Sequence, residues 1–280
     1  MNDTLGQIVY QPTNALEALW FNFVDYFGED FLISYGTFFA HEIFYFLAFL
    51  PFFLCDFVHA LRKYKIQPTK VNDWKTQFNC LLKVMGTHIF VQLPMMIVFH
   101  PAIHSIGLRA RVPLPSGWYL LFVLAVSFVL EDAYFYFVHR FLHQGFWYKY
   151  IHKVHHDHAS PFGMAAEYAH PIETLILGVG TCLGPFLLSR DLFTLWAWLA
   201  VRLFQTVECH SGYDFPWNPT KLIPFWGGAH FHDFHHETFV GNYSSTFTYF
   251  DRLFGTSDKY YARMEMRKKE EELLANKKAK

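Results

Sequence analysis

Five apolar runs occupy much of this chain and limit what it can fold into. Three are long enough to cross a bilayer as helices, which takes about 20 residues each; they are residues 31–54, 78–99 and 117–138. Two shorter runs, 172–188 and 192–207, are separated only by Ser189-Arg190-Asp191, which predicts a helical hairpin in the membrane. The pattern predicts an all-α integral membrane protein with four to five membrane helices, the last pair forming the hairpin.

The composition agrees with a membrane protein and excludes several other classes. Of the 280 residues, 52% are apolar and only 17% are charged. The formal net charge of −1 provides no basic field for nucleic acid. The four cysteines form no CxxC pair, so neither a disulfide framework nor a zinc ribbon is expected. The acidic N-terminal segment lacks the basic start of a cleaved signal peptide, and we expect the first apolar run to remain as an anchor.

Charged residues between the runs predict the orientation in the membrane. The loop between the first two runs is predicted to be cytoplasmic by the positive-inside rule, because it contains Arg62, Lys63, Lys65, Lys70 and Lys75. The predicted parts are a lumenal N-terminal segment at 1–30, three spans with this loop at 31–138, a histidine-rich segment at 139–171, the hairpin at 172–208, a second histidine-rich segment at 209–262 and a charged cytoplasmic tail at 263–280. Both histidine-rich segments then lie on the cytoplasmic side. Arg109 and Arg111 oppose this scheme, because it places their loop in the lumen.

Histidines are concentrated in the middle of the chain in three short boxes. The boxes are one HxxxH, His139 to His143, and two HxxHH, His152-Lys-Val-His155-His156 and His232-Asp-Phe-His235-His236. Imidazole is the commonest metal ligand in proteins, since it is neutral near pH 7 and offers a lone pair. Eight boxed imidazoles are too many for one ion, so the pattern predicts two metals sharing a site.

Helical geometry predicts how the boxes are used. If the third run continues as a helix, His139 and His143 lie one turn apart on one face. Tyr136 and Asp132 lie farther back on the same face, and Asp132 could accept an N–H from a metal-bound imidazole. In each HxxHH box the first two histidines are expected on one face, with the third about 100° away. One helix could therefore serve two nearby metals, or one metal and the groups that orient its ligands.

The surroundings of the other histidines indicate their roles, and the types of side chain in the boxes limit the choice of metal. His170 and His210 lie where the chain enters or leaves the apolar hairpin, and each is a candidate further ligand. His41, with Glu42 inside the first run, could contact the site or a substrate, whereas His88 is expected to be an ordinary polar residue of a span. The boxes contain no thiolates, which excludes iron–sulfur chemistry, and imidazoles suit zinc, copper, iron or nickel. A structural zinc site is complete with four ligands, and this set contains eight or more. We therefore expect a site for redox chemistry on a lipid and not a structural zinc site.

The boxes and their flanking phrases resemble a known group of enzymes. Three such boxes after membrane spans are similar to the fatty acid hydroxylase superfamily of membrane di-iron oxygenases. Within it, the flanking phrases resemble the C4-methylsterol monooxygenases over about residues 30 to 260; they are Pro161-Phe-Gly-Met164, Glu167-Tyr-Ala-His-Pro171, His210-Ser-Gly-Tyr-Asp-Phe-Pro216, Gly241-Asn-Tyr243 and Asp251-Arg-Leu-Phe-Gly-Thr256.

The resemblance implies a fold, an activity and partners. The membrane helices would be capped by a cytoplasmic helical di-iron domain. Its two irons would use O₂ to oxidise a 4α-methyl group of a sterol through alcohol and aldehyde to carboxylate, with electrons from NAD(P)H through cytochrome b5 and its reductase. The ligands would be the eight boxed histidines, with His170 and His210 as additions. A separate decarboxylating enzyme of sterol demethylation would act next. Lys277-Lys278-Ala279-Lys280 resembles a dilysine retrieval signal of endoplasmic reticulum membrane proteins.

Three other functions remain open from the residues. The same iron site could belong to a sterol desaturase or to a fatty acyl or sphingolipid hydroxylase, which the boxes do not distinguish. A histidine-rich membrane metal transporter would need polar residues spaced through the spans, whereas most histidines here cluster beyond the span ends. A family member that has lost its chemistry is disfavoured by the intact boxes.

Overall fold

The computed structural model describes residues 12–70, 72–110 and 112–278, and all regular structure within them is helical. The helices are α1 (Ala15–Phe27), α2 (Glu29–Cys55), α3 (Trp74–Ser105), α4 (Gly117–Leu142), α5 (Gly145–Tyr150), α6 (Pro171–Leu188), α7 (Leu192–Cys209), α8 (Gly228–Thr238), α9 (Tyr249–Leu253) and α10 (Asp258–Lys278). The all-α prediction is confirmed. Residues 1–11 of the predicted lumenal segment, Arg111 and the last two residues of the dilysine sequence lie outside the described residues.

Four of these helices are long and apolar enough to cross a membrane: α2, α3, α4 and α6. The first three contain the three long apolar runs and extend beyond them. Large apolar side chains cover their outer surface, and Phe90 and Trp118 are among the most exposed. An apolar surface of this extent in a soluble protein would drive association. It fits a protein whose outer face contacts lipid, as the composition predicts.

The predicted hairpin is present, although its two helices differ. Helix α6 ends at Leu188. Helix α7 begins at Leu192, and the Asp191 side chain caps its start by accepting a hydrogen bond from the Thr194 backbone N–H. Helix α7 is not among the four apolar helices, since it carries Arg202 and Glu208. It packs mainly against α2, while α6 packs mainly against α4. Neighbouring helices therefore cover much of α7, which lets it hold polar side chains.

Small residues allow α6 and α4 to approach closely. An added Cβ at Gly184 would lie 2.6 Å from the Cα of Ser127, and one at Gly180 would lie 2.3 Å from the Tyr134 ring. Close backbone approach through small residues is a common way for membrane helices to pack. This contact fixes α6 beside the end of α4 that carries the first histidine box.

The connecting loops gather at two ends of the bundle. At one end, the backbone N–H of Arg109 donates to the Arg190 carbonyl at 3.0 Å, and the Ala110 N–H donates to the Glu29 carboxylate at 3.0 Å. At the other end, the Gln67 side chain of the basic loop donates to the Ala159 carbonyl and to the Asp233 carboxylate, each at 3.0 Å. The basic loop and both histidine-rich segments therefore share one end, as the sequence predicts.

A buried ion pair joins α7 to α4. One guanidinium nitrogen of Arg202 lies 2.8 Å from a Glu131 carboxylate oxygen, and another donates to the Gln205 side-chain oxygen at 2.6 Å. Ser245 donates to the second Glu131 oxygen at 3.0 Å. Buried charges are stable only when paired and hydrogen-bonded. The pair ties α4, α7 and the segment after the third histidine box into one unit.

Candidate metal centre

Five imidazoles form a first group around one point. Their members are His139, His143, His152, His156 and His235. The Nε2 atoms of His139 and His152 are 2.9 Å apart, and those of His152 and His156 are 3.0 Å apart. His235 Nε2 lies 3.2 Å from the Nε2 atoms of both His143 and His156. Because all five Nε2 atoms meet in one small volume, their lone pairs can share a single ion.

Four imidazoles form a second group beside the first. They are His155, His210, His232 and His236. The Nε2 atom of His210 lies 3.2 Å from that of His155 and 2.9 Å from that of His232. The rings of His156 and His236, one from each group, are 4.8 Å apart between centroids. Two ions held by these groups would therefore be close neighbours.

Each HxxHH box divides its histidines between the two groups. His152 and His156 belong to the first group and His155 to the second, while His232 and His236 belong to the second and His235 to the first. The prediction that one box serves two metals agrees with this placement. The expected pairing was wrong, because the first and last histidines of a box stay together. The third box lies in helix α8, where residues four apart differ by only about 40° and residues three apart by about 60°. The second box lies instead in a 3-10 helix, His152–Asp157, so α-helical spacing does not explain its pairing.

Partners on the outer side orient most of the rings. The Nδ1 atom of His139 lies 2.7 Å from the Tyr243 carbonyl, and that of His235 lies 2.6 Å from the Gly241 carbonyl. His152 Nδ1 lies 2.7 Å from a Glu173 carboxylate oxygen, with both side chains 1% exposed. Donation from Nδ1 leaves the Nε2 lone pair free, which is how metal-binding histidines are usually held.

Burial keeps the histidines of the second and third boxes neutral. It lowers the pKa of His152 to about 3 and that of His235 to about 3. It also lowers the pKa of His155 to about 4, although the carboxylate of Glu173 opposes the shift. At neutral pH these side chains carry no proton on the metal-facing nitrogen, as metal ligation requires.

Asp132 and Tyr136 lie on the predicted face but do not contact an imidazole among the described residues. Asp132 Oδ1 accepts hydrogen bonds from the backbone N–H groups of Thr246 at 2.8 Å and Phe247 at 3.1 Å. Tyr136 stacks on Phe250 and receives a hydrogen bond from Arg140 at 3.0 Å. Both residues face the segment after the third box, which covers this side of α4. Glu173 contacts an imidazole in the way expected of Asp132.

His170 lies outside both groups, whereas His210 belongs to the second. The Nδ1 atom of His170 accepts a hydrogen bond from the Ile172 backbone N–H at 3.1 Å, so this side chain caps the start of α6. His210 follows α7 by one residue, and its Nδ1 lies 2.7 Å from the Thr206 carbonyl, which turns Nε2 toward the site. Nine of the ten predicted ligands are therefore brought together, and His170 is not.

A separate polar cluster, made of His41, Glu42, His88 and Glu167, lies inside the bundle. The nitrogens of His41 are 3.2 Å and 3.1 Å from Glu42 and Glu167 oxygens, and those of His88 are 2.8 Å and 2.7 Å from oxygens of the same two carboxylates. The expectation that His88 is an ordinary polar residue missed this contact, since no spacing in the sequence relates it to Glu42 and Glu167, which lie 46 and 79 positions away.

The donor set fits iron without requiring any other ligand type. Nine neutral imidazoles in groups of five and four exceed the four ligands of a structural zinc site. Imidazole is a common ligand of iron in oxygen-activating proteins. The buried Cys209 does not enter the set, because its sulfur lies 3.4 Å from Nδ1 of His210 on the outer side of that ring.

Comparisons with known proteins agree with this arrangement. The sequence profile of the family described as Fatty acid hydroxylase matches residues 124–256. A Dictyostelium discoideum protein named as a methylsterol monooxygenase is 76% identical, over 90% of this chain and 93% of the relative. Methylsterol monooxygenase 1 of Gallus gallus is 43% identical, over 94% of this chain and 90% of the relative. A rice protein named as a very-long-chain aldehyde decarbonylase is 45% identical, over 88% of this chain and 94% of the relative. No solved structure matches. The chain belongs to the methylsterol monooxygenase family, within the fatty acid hydroxylase superfamily.

Proposed function

We propose that this protein oxidises the 4α-methyl group of 4-methylsterols stepwise to alcohol, aldehyde and carboxylate, using two bound iron ions. The observation that carries the proposal is the division of nine buried imidazoles into adjacent groups of five and four. Two such groups match a two-iron centre, and the names of the relatives supply the substrate class.

The iron ions would supply O₂ activation and the redox chemistry of each step. The chain's own contribution is to hold the ligands and to exclude water. Glu173 and the carbonyls of Gly241 and Tyr243 fix the ring orientations of His152, His235 and His139. The almost complete burial of these three imidazoles keeps bulk water from the centre.

An apolar cavity of about 200 Å³ adjoins the centre and provides a place for the substrate. Its wall includes Phe135, whose ring packs 5.0 Å from that of His139, and Glu173, which contacts His152. Much of the remaining wall is apolar, as at Met95 and Leu177. Sites that enclose a whole drug-sized ligand are usually about 300–1,000 Å³. The cavity would therefore enclose only the reacting end of a sterol, with the remainder in contact with lipid.

Electrons would arrive from NAD(P)H through cytochrome b5 and its reductase. Each oxidation consumes one O₂, two electrons and two protons, inserts one oxygen atom into a C–H bond and releases the other as water. At the second step the resulting geminal diol loses a further water to give the aldehyde. Lys149 and Lys153 are exposed beside the first two boxes and support docking of an acidic electron carrier. Attraction between exposed charges of this kind weakens as salt rises.

The membrane orientation is part of the same proposal. The end of the bundle that holds the boxes also holds the basic loop, which supports a cytoplasmic location by the positive-inside rule. We place the protein in the endoplasmic reticulum membrane, where the other sterol-demethylation enzymes would receive its carboxylate product. A glycosylation acceptor introduced near residue 160 should stay unmodified if this orientation is correct.

The decisive experiment is product analysis with purified full-length protein, a 4,4-dimethylsterol, O₂, NADPH, cytochrome b5 and its reductase. We expect the 4-hydroxymethyl, aldehyde and carboxylate products to appear in that order, and to be absent without iron or cytochrome b5. His155→Ala and His235→Ala should each abolish turnover, while exposed His59→Ala should retain it. A ring double bond or a hydroxylated fatty acyl product would assign the chain to a sibling reaction. A very-long-chain aldehyde, tested in parallel, addresses the activity named for the rice relative.

A further inference from the structure

The cavity beside the metal centre is lined in part by polar side chains, and the proposed chemistry does not use three of them. These three are Gln92, His41 and Glu167, and we use the term polar wall for them. A π-helical turn at His88–Gln92 interrupts α3 at this position. Such turns are rare and occur frequently at functional sites. The turn places His88 against Glu42 and Glu167, and Gln92 against the cavity.

The polar wall shares His41 and Glu167 with the cluster of His41, Glu42, His88 and Glu167, which is balanced in charge. Both nitrogens of each imidazole face a carboxylate oxygen at 2.7–3.2 Å, which is the arrangement of a doubly protonated ring. Two positive rings then offset two carboxylates. Because buried charges require such compensation, a charged ligand group would unbalance the cluster. The wall therefore suits a neutral polar group.

Gln92 has hydrogen-bonding capacity that nothing in the described chain satisfies. Its side chain is only 7% exposed, and its buried Oε1 has no hydrogen-bond partner among the described residues. A buried amide oxygen without a partner costs about 1–3 kcal/mol. A hydroxyl group can donate to this oxygen and also accept from the Gln92 amide N–H, so it satisfies both halves of one amide.

The polar wall and residues that contact the histidine groups line the same cavity. The cavity of about 200 Å³ contains both the polar wall and, on its metal side, Phe135 and Glu173. Glu167 is also joined to the second histidine group, since the next residue, Tyr168, has its carbonyl 3.1 Å from His155 Nδ1. In a 4-methylsterol the hydroxyl group is on the ring carbon next to the one that carries the methyl. Recognition of that hydroxyl must therefore occur within the cavity where the methyl reacts.

We propose that Gln92, supported by His41 and Glu167, binds the hydroxyl group of the sterol and so selects lipid alcohols and orients the neighbouring methyl toward the metal centre. This inference rests on the proposed function for its substrate class. Gln92 is a specificity residue in this role, because it touches the substrate without ligating metal.

The test measures binding without turnover. Full-length protein in detergent is titrated with an intrinsically fluorescent triene sterol and with its 3-deoxy analogue, which lacks only the hydroxyl. The same titrations are made with Gln92→Leu and Gln92→Met, neither of which adds a polar group to the span. Gln144→Leu is the matched control, because Gln144 is exposed and outside the cavity.

Wild-type protein and Gln144→Leu should bind the alcohol about tenfold more tightly than the deoxy analogue, as expected for one buried hydrogen bond. Both Gln92 variants should lose that preference while binding the deoxy analogue as wild type does. The inference is overturned if wild type shows no preference or binds neither compound, or if both Gln92 variants keep the preference. A preference that depends on Gln92, in a protein that yields no oxidised sterol, would uphold the binding role and refute the proposed activity.

Discussion

Glu173 provides the sharpest test of the candidate metal centre, because it contacts the candidate ligand His152 without belonging to either histidine group. Its carboxylate oxygen lies 2.7 Å from Nδ1 of His152, and both side chains are almost completely buried. Glu173→Gln keeps an acceptor oxygen at this position but removes its charge. Glu173→Ala removes the acceptor and leaves the imidazole N–H of His152 without a partner. The two variants therefore separate the electrostatic contribution from loss of the contact.

The expected size of the effect follows from the geometry. Loss of a carboxylate that orients a metal-bound imidazole typically lowers metal affinity or activity by about 10–100-fold, which is about 1.4–2.7 kcal/mol. We expect a loss near tenfold for Glu173→Gln, because His152 can still donate to the amide oxygen. We expect a loss near 100-fold for Glu173→Ala, since the His152 ring then has neither acceptor nor fixed tautomer.

The assay is an anaerobic Fe²⁺ titration of metal-free protein against a chromogenic chelator, with iron per chain measured by elemental analysis. Glu208→Gln is the matched control. Glu208 is also a buried carboxylate, but it accepts a hydrogen bond from Asn218 at 2.7 Å and contacts no imidazole in the described chain. Equal iron affinity in wild type, Glu173→Gln and Glu173→Ala would refute the role of Glu173. An equal loss in Glu208→Gln would show that buried charge, and not ring orientation, is responsible.

The remaining predictions concern residues around the centre. His210→Ala should lower the iron content from two ions per chain to about one, as measured by elemental analysis. His170→Ala should retain both ions but lose about 1 kcal/mol of stability in thermal unfolding, which is the usual effect of removing a helix cap. Asp132→Ala leaves two buried backbone N–H groups without an acceptor and should lower the unfolding temperature, with iron per folded chain unchanged in a monodisperse fraction. Gly184→Ala should destabilise the protein by about 1–3 kcal/mol through overpacking. Gly178→Ala is the control and should have no such effect, because an added Cβ there meets nothing within 4 Å. Similar unfolding temperatures for the two variants would contradict the close helix contact.

Much of the fold was predictable because lipid imposes a simple rule on sequence. The runs that became α2, α3, α4 and α6 are readable as spans, since every crossing helix exposed to lipid needs about 20 apolar residues. Helix α7 follows a different rule. Because other helices cover much of it, it can hold Arg202 and Glu208, which leave its apolar run short. The short connection at residues 189–191, together with that run, identified it as the returning half of the hairpin.

The candidate site was predictable in its ligands but not in its supporting contacts. The boxes place imidazoles at helical spacing, and this spacing brought eight of them together with His210. The carbonyls of Gly241 and Tyr243 have no side-chain signature, because any residue type supplies a backbone oxygen. Asp132 was a reasonable choice by position on α4. Asp132 and His139 lie on the same face of α4, but different parts of the protein cover the two positions. Residues 246–247 cover the part of the face near Asp132.

The pairing of Arg202 with Glu131 has a consequence for how the protein is made. An arginine at the centre of a helix costs about 2.5–3.5 kcal/mol to insert into the membrane by itself. The partner Glu131 is on α4, which leaves the ribosome earlier, so we expect α7 to enter the bilayer favourably only after α4 is in place. His210 and the third box follow α7 in the chain and reach the other histidines only when the hairpin has returned. We therefore expect metal loading to follow the return of the hairpin, and a chain whose hairpin fails to form should lack His210 and the third box at the candidate metal centre.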